Sequence, residues 1–187
     1  MTLVILDRDG VINFDSPLHI KSPNEGEAIP GSLEAIARLS RAEFRVVIAT
    51  NQSGIERGLF DINALNRIHK KMVAQAQEKG GKIDAIFFCP HAPESLCDCR
   101  KPKPGLLLEA SVRLSEPLSN VPFVGDSISD VLAAKESGAQ PVLVKTGNGL
   151  EAHTELITNN KYDIINVTVC SNLSAFVDSL VNVPQTG

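Results

Sequence analysis

Short apolar runs, rich in Val and Ile, alternate along the chain with segments in which apolar residues recur at helical spacing. The runs predict buried strands over residues 2–6, 45–50, 83–88, 121–124 and 141–144. The helical spacing predicts helices over residues 33–42, 61–79, 104–114 and 129–137. We therefore expect an α/β fold, a Rossmann-like three-layer α/β/α domain with a mostly parallel sheet.

Local signals mark several helix ends. Ser32 and Asp61 are placed to cap helix starts, and Gly138 to terminate a helix. Beyond residue 150 the weaker pattern predicts three more elements. They are a helix near 150–158, an extended segment over 164–170 and a final helix over 173–181.

The composition is that of an ordinary globular protein. Of 187 residues, 43% are hydrophobic and 21% charged, so we expect one domain over residues 1–187. A net charge of −4 and few aromatic residues disfavour nucleic acid as a partner. Since there is no signal-peptide pattern and no apolar run of membrane-spanning length, we expect a cytoplasmic protein without a membrane partner. We also expect a monomer.

Carboxylates directly follow two of the predicted strands. Asp7 and Asp9 leave the first strand, and Asp126 leaves the fourth. Because parallel strands present their carboxyl ends at one edge of the sheet, we expect these side chains to meet there. Neighbouring carboxylates repel each other unless a cation separates them, so the cluster favours Mg²⁺ binding or acid/base chemistry. The alternative is a simple turn and a helix cap.

Polar and basic residues add a possible phosphate site. Residues 50–53, with the sequence TNQS, follow the second strand and offer hydroxyl, amide and backbone donors, although a capping turn would explain them too. Arg100 and Lys101 lie among prolines, where they suit anion recognition or form a solvated loop. Together with the carboxylates, they indicate phosphoryl transfer with an aspartate nucleophile.

Residues 89–105 hold four prolines and three cysteines, which makes regular structure improbable there. Cys89, His91, Cys97 and Cys99 supply a Cys₃His set, a common structural Zn²⁺ site with no position left for catalytic water. We expect a zinc-binding loop; free thiols and a surface histidine are the alternative. His69 falls within a predicted helix and is interpreted as structural or solvated.

Several motifs now resemble a known family. The segments LDRDGVIN, TNQSGI, CPH, CDCRKPKPG and VGD, spread over residues 3–147, are similar to those of the haloacid dehalogenase-like phosphatases. Within that family the resemblance is to the branch that acts on D,D-heptose 1,7-bisphosphate, with the histidinol-phosphate phosphatases close by. No insertion is long enough for the large cap domain of many relatives.

The resemblance implies catalytic roles. Asp7 matches the nucleophile, and Asp9 the acid/base that protonates the leaving oxygen and later activates water. Thr50 and Lys101 match groups that stabilise phosphoryl oxygens. Asp7, Asp126 and the backbone carbonyl of Asp9 match the Mg²⁺ ligands.

The resemblance also implies substrate and structural roles. The matching substrate contacts are Asp15, Ser16, Pro17, Leu18, Thr50, Asn51, Gln52, Ser53, Arg100 and Lys101. Among them, Arg100 matches a residue that helps to select the substrate. Asp130 matches the second acid of the fourth motif, which orients its neighbours, and the Cys₃His set matches the zinc ligands.

The implied activity is Mg²⁺-dependent hydrolysis of the 7-phosphate of D-glycero-D-manno-heptose 1,7-bisphosphate through an aspartyl phosphate. Its product would enter nucleotide-activated heptose synthesis for lipopolysaccharide core or surface glycans. Only five residues separate His91 from Cys97, a spacing also found in histidinol-phosphate phosphatases, so histidinol phosphate is the alternative substrate. A zinc-stabilised binding protein with an inactive site is a second alternative, against which the intact Asp7/Asp9 pair speaks.

Overall fold

A computed structural model describes residues 2–159, 162 and 165–181. Its centre is a six-stranded parallel sheet with strand order β3-β2-β1-β4-β5-β6. The strands are β1 (Leu3–Leu6), β2 (Arg45–Asn51), β3 (Ala85–Cys89), β4 (Pro122–Gly125), β5 (Gln140–Val144) and β6 (Thr168–Cys170). The predicted parallel α/β architecture is confirmed.

Helices cover both faces of the sheet. They are α1 (Ser32–Arg41), α2 (Ile62–Glu78), α3 (Gly105–Leu114), α4 (Ile128–Ser137), α5 (Gly149–Thr158) and α6 (Leu173–Val181). Helices α1, α2 and α6 share one hydrophobic cluster with Val4 and Leu6, whereas α3 and α4 pack against Leu3 and Ile5. Successive residues of β1 therefore enter opposite layers of the core, as expected for a strand that is buried on both sides.

The strand order places the candidate chemistry at one edge of the sheet. Strand β1 lies between β2 and β4. The strands β2 and β3 extend the sheet on one side of β1, and β4, β5 and β6 extend it on the other. Such a switch point opens a crevice beyond the carboxyl ends of the strands. The backbone N–H of Asp7 donates to the carbonyl of Val124 at 2.8 Å, which holds the end of β1 beside the end of β4.

Two of the three predicted helix-end residues act as expected. The Asp61 side chain accepts from the Ala64 N–H at the start of α2, and Gly138 ends α4 in a left-handed conformation. The prediction for Ser32 is wrong, because Gly31 is the N-cap and Ser32 is the first helical residue. The buried Ser32 hydroxyl instead donates to the Ile12 carbonyl at 2.8 Å, satisfying a polar group of the loop after β1.

Two loops of the described chain each contain a short helical turn. Single 3-10 turns occupy Pro23–Glu25 and Pro93–Ser95. Of the extended segment predicted over 164–170, the strand covers Thr168–Cys170, and residue 164 lies outside the described residues. In the part of the chain described here, no helix combines the length and apolar character needed to span a bilayer.

Candidate active site and metal-binding loop

A buried lysine joins two aspartates at the carboxyl edge of the sheet. Lys101 Nζ lies 2.7 Å from Asp7 Oδ2 and 2.7 Å from Asp130 Oδ1, and it donates to the Ala49 carbonyl at 3.1 Å. Only 3% of Lys101 is exposed. Burial opposes its charge, but the carboxylates of Asp130 and Asp7 outweigh that effect and raise the pKa of Lys101. The ammonium is therefore fixed beside Asp7.

Asp126 brings a further carboxylate to the same place. Carboxylate oxygens of Asp7, Asp126 and Asp130 all lie within 4.8 Å of one another. Burial, reinforced by the neighbouring acids, raises the pKa of Asp126 to about 8. Burial also raises the pKa of Asp7 to about 7, although Lys101 opposes this shift. Without a metal ion, this site disfavours the simultaneous ionisation of Asp7 and Asp126, even with Lys101 beside them.

The charges of the site fit a divalent cation. Four aspartates and two basic residues meet here: Asp7, Asp9, Asp126, Asp130, Arg8 and Lys101. When all are ionised, two negative charges remain uncompensated, and one Mg²⁺ would balance them. Carboxylates and backbone carbonyls are the oxygen ligands that Mg²⁺ prefers.

Asp130 forms hydrogen bonds and an ion pair with its neighbours. Its Oδ2 accepts from the backbone N–H groups of Asp126 at 3.2 Å and Ser127 at 3.1 Å, and from the Ser127 hydroxyl at 2.6 Å. Since Oδ1 contacts Lys101, both oxygens of Asp130 are engaged. Asp130 therefore orients Asp126 and Lys101.

Two glycines allow the backbone to approach Asp126. A Cβ at Gly10 would lie 1.9 Å from Asp126 Oδ2, and a Cβ at Gly147 would lie 2.2 Å from the same atom. Both residues have positive φ, 77° and 56°, which favours glycine independently of space. A residue with a Cβ at position 10 or 147 would therefore clash with the side chain of Asp126.

Asp9 is fixed by an arginine and a glutamine. Arg8 donates through Nε to Asp9 Oδ1 at 2.9 Å and through Nη2 to Asp9 Oδ2 at 2.7 Å. Gln52 Nε2 donates to the same Asp9 Oδ2 at 3.1 Å and to Thr50 Oγ1 at 3.0 Å. Because the Thr50 oxygen already accepts a hydrogen bond, its hydroxyl proton is available to a phosphate oxygen.

Asn51 binds protein backbone rather than facing freely into the site. Its Nδ2 donates to the Lys101 carbonyl at 3.1 Å, and its Oδ1 accepts from the Lys101 N–H at 3.2 Å. This reciprocal pair links the end of β2 to the loop that carries Lys101. The expected contact between Asn51 and substrate remains a prediction, and the structure adds a positioning role.

A cavity of about 320 Å³ opens over these groups. Nine of the ten predicted substrate contacts line it: Asp15, Ser16, Pro17, Thr50, Asn51, Gln52, Ser53, Arg100 and Lys101. Leu18 is 72% exposed and is not among the residues that line the cavity. Several other lining residues were not predicted from the sequence: Arg8, His19, Ile20, Ser127, Ser129 and Asn148.

The loop over residues 14–31 is anchored at both of its sides. Lys71 Nζ, on α2, donates to the carbonyls of Pro23 at 2.7 Å and Gly26 at 2.9 Å. On the other side, Asn148 Nδ2 donates to Asp15 Oδ2 at 3.0 Å, while the Asn148 N–H donates to Asp126 Oδ2 at 2.8 Å. The cavity wall is therefore connected to the predicted metal ligand.

The four predicted zinc ligands converge on one point. Cys89 Sγ lies 3.7 Å from Cys97 Sγ and 3.0 Å from Cys99 Sγ, and the Cys97 and Cys99 sulfurs are 3.6 Å apart. His91 Nδ1 lies 3.3 Å from Cys99 Sγ and 3.5 Å from Cys89 Sγ. Tetrahedral bonds of about 2.3 Å to zinc separate sulfur ligands by roughly 3.7 Å. Two of the three sulfur pairs match this spacing and the third is shorter, so the four residues could hold a structural Zn²⁺ ion.

The metal-binding loop also contacts the cavity. Arg100 Nη1 donates to the His91 carbonyl at 3.1 Å, and Arg100 lines the cavity. Glu56 accepts hydrogen bonds from the Ala92 N–H and the Ser95 hydroxyl, which ties the loop after β2 to the metal-binding loop. A structural ion here would hold Arg100 at the mouth of the cavity.

We expect purified protein to contain about one zinc per chain, because all four ligand positions are filled by the protein. Cys99→Ser should lose most of this zinc and lower the melting temperature, as measured by elemental mass spectrometry and thermal melting. Cys170→Ser is the matched control, since Cys170 lies in β6 away from the cluster, and it should keep its zinc. A zinc-free wild-type chain with unchanged melting would contradict the assignment.

Comparisons with known proteins agree with this geometry. A family model described as HAD-hydrolase-like matches residues 98–170. The D-glycero-beta-D-manno-heptose-1,7-bisphosphate 7-phosphatase of Bordetella bronchiseptica is 55% identical over 149 residues, 80% of this chain and 83% of that protein. The protein of the same name from Pseudomonas aeruginosa is 52% identical, covering 80% of this chain and 84% of the relative.

A solved structure extends the similarity to almost the whole chain. The crystal structure of D,D-heptose 1,7-bisphosphate phosphatase from B. bronchiseptica, complexed with magnesium and phosphate, superposes with a TM-score of 0.92 at 48% identity. The match covers 97% of this chain and 98% of that structure. The chain therefore belongs to the family of the D-glycero-D-manno-heptose-1,7-bisphosphate 7-phosphatases, within the haloacid dehalogenase-like hydrolases.

Proposed function

We propose that this protein is a Mg²⁺-dependent phosphatase that removes the 7-phosphate of D-glycero-β-D-manno-heptose 1,7-bisphosphate through an aspartyl phosphate. The observation that carries the proposal is the position of Asp7, held between Lys101 and the acidic cluster at the floor of the cavity. The choice of sugar and of the β anomer is supported by the names of relatives that are 52–55% identical.

In the first half-reaction, a carboxylate oxygen of Asp7 attacks phosphorus while the bond from phosphorus to the C7 oxygen breaks. Asp9 donates a proton to that leaving oxygen. In the second half-reaction, Asp9 accepts a proton from water as the water oxygen attacks the aspartyl phosphate. The bond between phosphorus and Asp7 then breaks, which releases inorganic phosphate and restores both carboxyl groups.

The surrounding residues stabilise the negative charge of the phosphoryl group. The Lys101 ammonium and the Thr50 hydroxyl are the donors we assign to its oxygens. Asp7, Asp126 and the Asp9 backbone carbonyl would hold Mg²⁺. When bound, this ion supplies positive charge that offsets the repulsion between an anionic nucleophile and an anionic substrate.

At the cavity mouth, we assign substrate selection to Arg100 and the loop that begins at Asp15. The product would supply nucleotide-activated heptose for lipopolysaccharide core or related glycans. We further propose that the enzyme acts in the cytoplasm, as a monomer, on this small phosphorylated sugar. Histidinol phosphate is not favoured as the substrate, because the named relatives at high identity act on the heptose.

A comparison of three substrates tests this proposal. We expect the highest kcat/KM for the β anomer of the heptose bisphosphate, a lower value for the α anomer and the lowest for histidinol phosphate. Phosphate release should depend on added Mg²⁺ and stop with excess EDTA. A preference for histidinol phosphate would overturn the substrate assignment, whereas no turnover of any phosphate ester would support a binding protein instead.

A further inference from the structure

Arg8 is a fully buried arginine that lies between Asp7 and Asp9 in the sequence. Only 1% of it is exposed, although a guanidinium is costly to bury without partners. Besides its two bonds to Asp9, Arg8 donates through Nη2 to Gln52 Oε1 at 3.1 Å. Its remaining terminal nitrogen, Nη1, lies 3.2 Å from His69 Nε2. The arginine thus connects Asp9 to α2, the helix that also anchors the loop over residues 14–31 through Lys71.

His69 is well placed to hold that arginine. It lies on α2, is 7% exposed, and meets the Phe88 ring edge-on at a centroid distance of 6.3 Å. Burial, together with the charge of Arg8, lowers the pKa of His69 to about 3, so its ring is neutral at physiological pH. A neutral ring with its proton on Nδ1 can accept a hydrogen bond at Nε2, and Arg8 can only donate.

The acceptor at His69 restricts the plane of the guanidinium. Arg8 presents its donors in a rigid planar fork, so fixing Nη1 also fixes the edge formed by Nε and Nη2. That edge binds both oxygens of Asp9. The Asp9 side chain is still 21% exposed, so it remains accessible from the cavity. The orientation of the carboxyl group therefore depends on a residue 60 positions away along the chain.

We propose that His69, acting through Arg8, is a positioning residue that sets the orientation of Asp9 for proton transfer to the leaving group and from water. This inference rests on the proposed phosphatase function, in which Asp9 is the acid/base. It assigns a task to a histidine that the sequence alone indicates to be structural or solvated.

Leaving groups of different acidity separate this role from a general loss of structure. The sugar alkoxide requires a proton as it leaves, whereas p-nitrophenolate leaves readily without one. Since general acid catalysis contributes about 10²–10⁴-fold, we expect His69→Leu to lower kcat/KM for heptose bisphosphate by at least about tenfold. For p-nitrophenyl phosphate, kcat/KM should change by less than about threefold, because protonation of that leaving group contributes little.

The second half-reaction gives an independent signature. Because water activation also needs Asp9, dephosphorylation should become slow in His69→Leu for both substrates. With p-nitrophenyl phosphate, rapid mixing should then reveal a burst of about one p-nitrophenol per active site, followed by slow turnover. His69→Gln, whose side-chain carbonyl can accept from Arg8, should recover much of the lost activity.

Control variants keep the test decisive. His153→Leu, on α5 and outside the cavity, should leave both substrates unaffected. If His69→Leu does not fold, His69→Asn keeps a polar side chain that is too short to reach Arg8, and it should shift the substrate ratio in the same direction. A lower melting temperature with an unchanged substrate ratio and no burst would overturn the positioning role. If the wild-type enzyme does not hydrolyse heptose bisphosphate, the same comparison is made with another alkyl phosphate that it does hydrolyse. The positioning role of His69 is then tested even if the proposed substrate is wrong.

Discussion

Asp7→Asn will abolish phosphate release and leave the fold intact. An amide is too weak a nucleophile to form the phosphoenzyme, and loss of a nucleophile typically lowers kcat by at least about 10⁴-fold. Asparagine matches the shape of aspartate, and the site already disfavours the charge of Asp7, as its raised pKa indicates. We therefore expect the melting temperature of the metal-free variant to equal or exceed that of the wild type.

Steady-state phosphate release and thermal melting measure these two effects. Asp178→Asn is the matched control, because Asp178 is an exposed residue on α6 that pairs with Arg38 far from the cavity. That variant should keep wild-type kcat. If Asp7→Asn kept more than about one hundredth of the wild-type kcat, the assignment of Asp7 as the nucleophile would be wrong.

Lys101→Met will cost both stability and activity. Methionine approximates the length of lysine, but it leaves Asp7 and Asp130 buried together without their shared cation. Breaking a buried ion pair from one side costs about 3–5 kcal/mol in the free energy of unfolding. The loss of a preorganised cation beside the phosphoryl group should also lower kcat by about 10²–10³-fold.

Lys103→Met provides the control for the same loop. Lys103 forms an ion pair with Asp98, whose side chain is 97% exposed, and such surface pairs contribute at most about 1 kcal/mol. Denaturant unfolding and kcat should therefore be nearly unchanged in this variant. A Lys101→Met protein as stable as Lys103→Met would mean that Lys101 does not form stabilising ion pairs with Asp7 and Asp130.

The sequence predicted the architecture well because buried parallel strands are encoded locally. Each strand is a short apolar run, and a side chain that follows such a run must lie at the carboxyl edge of the sheet. Asp7 and Asp126 each follow such a run, and the structure places their oxygens within 4.8 Å of each other. The zinc-ligand pattern was likewise readable, since all four residues lie within eleven positions.

Contacts between distant segments could not be predicted in this way. Ser32 looked like a helix cap, but its hydroxyl donates a hydrogen bond to the carbonyl of Ile12, 20 positions earlier. No local pattern indicated that the Asn51 amide, which is predicted to contact substrate, also pairs with the backbone of Lys101, 50 positions later in the chain. The one local signal for His69 is its place on the apolar side of α2, where a polar residue requires a buried partner. Nothing nearby in the sequence identifies Arg8 as that partner.

The anchored loop over residues 14–31 carries several of the proposed substrate contacts and no member of the acidic cluster. Its base is bound by Lys71, while residues 16–19 between Asp15 and the anchor contribute no side chain to the acidic cluster. We therefore expect exchange of this short stretch to alter the substrate preference and to leave the proposed catalytic residues in place. For protein engineers, residues 16–19 are the natural place to randomise when a phosphatase for another sugar is sought.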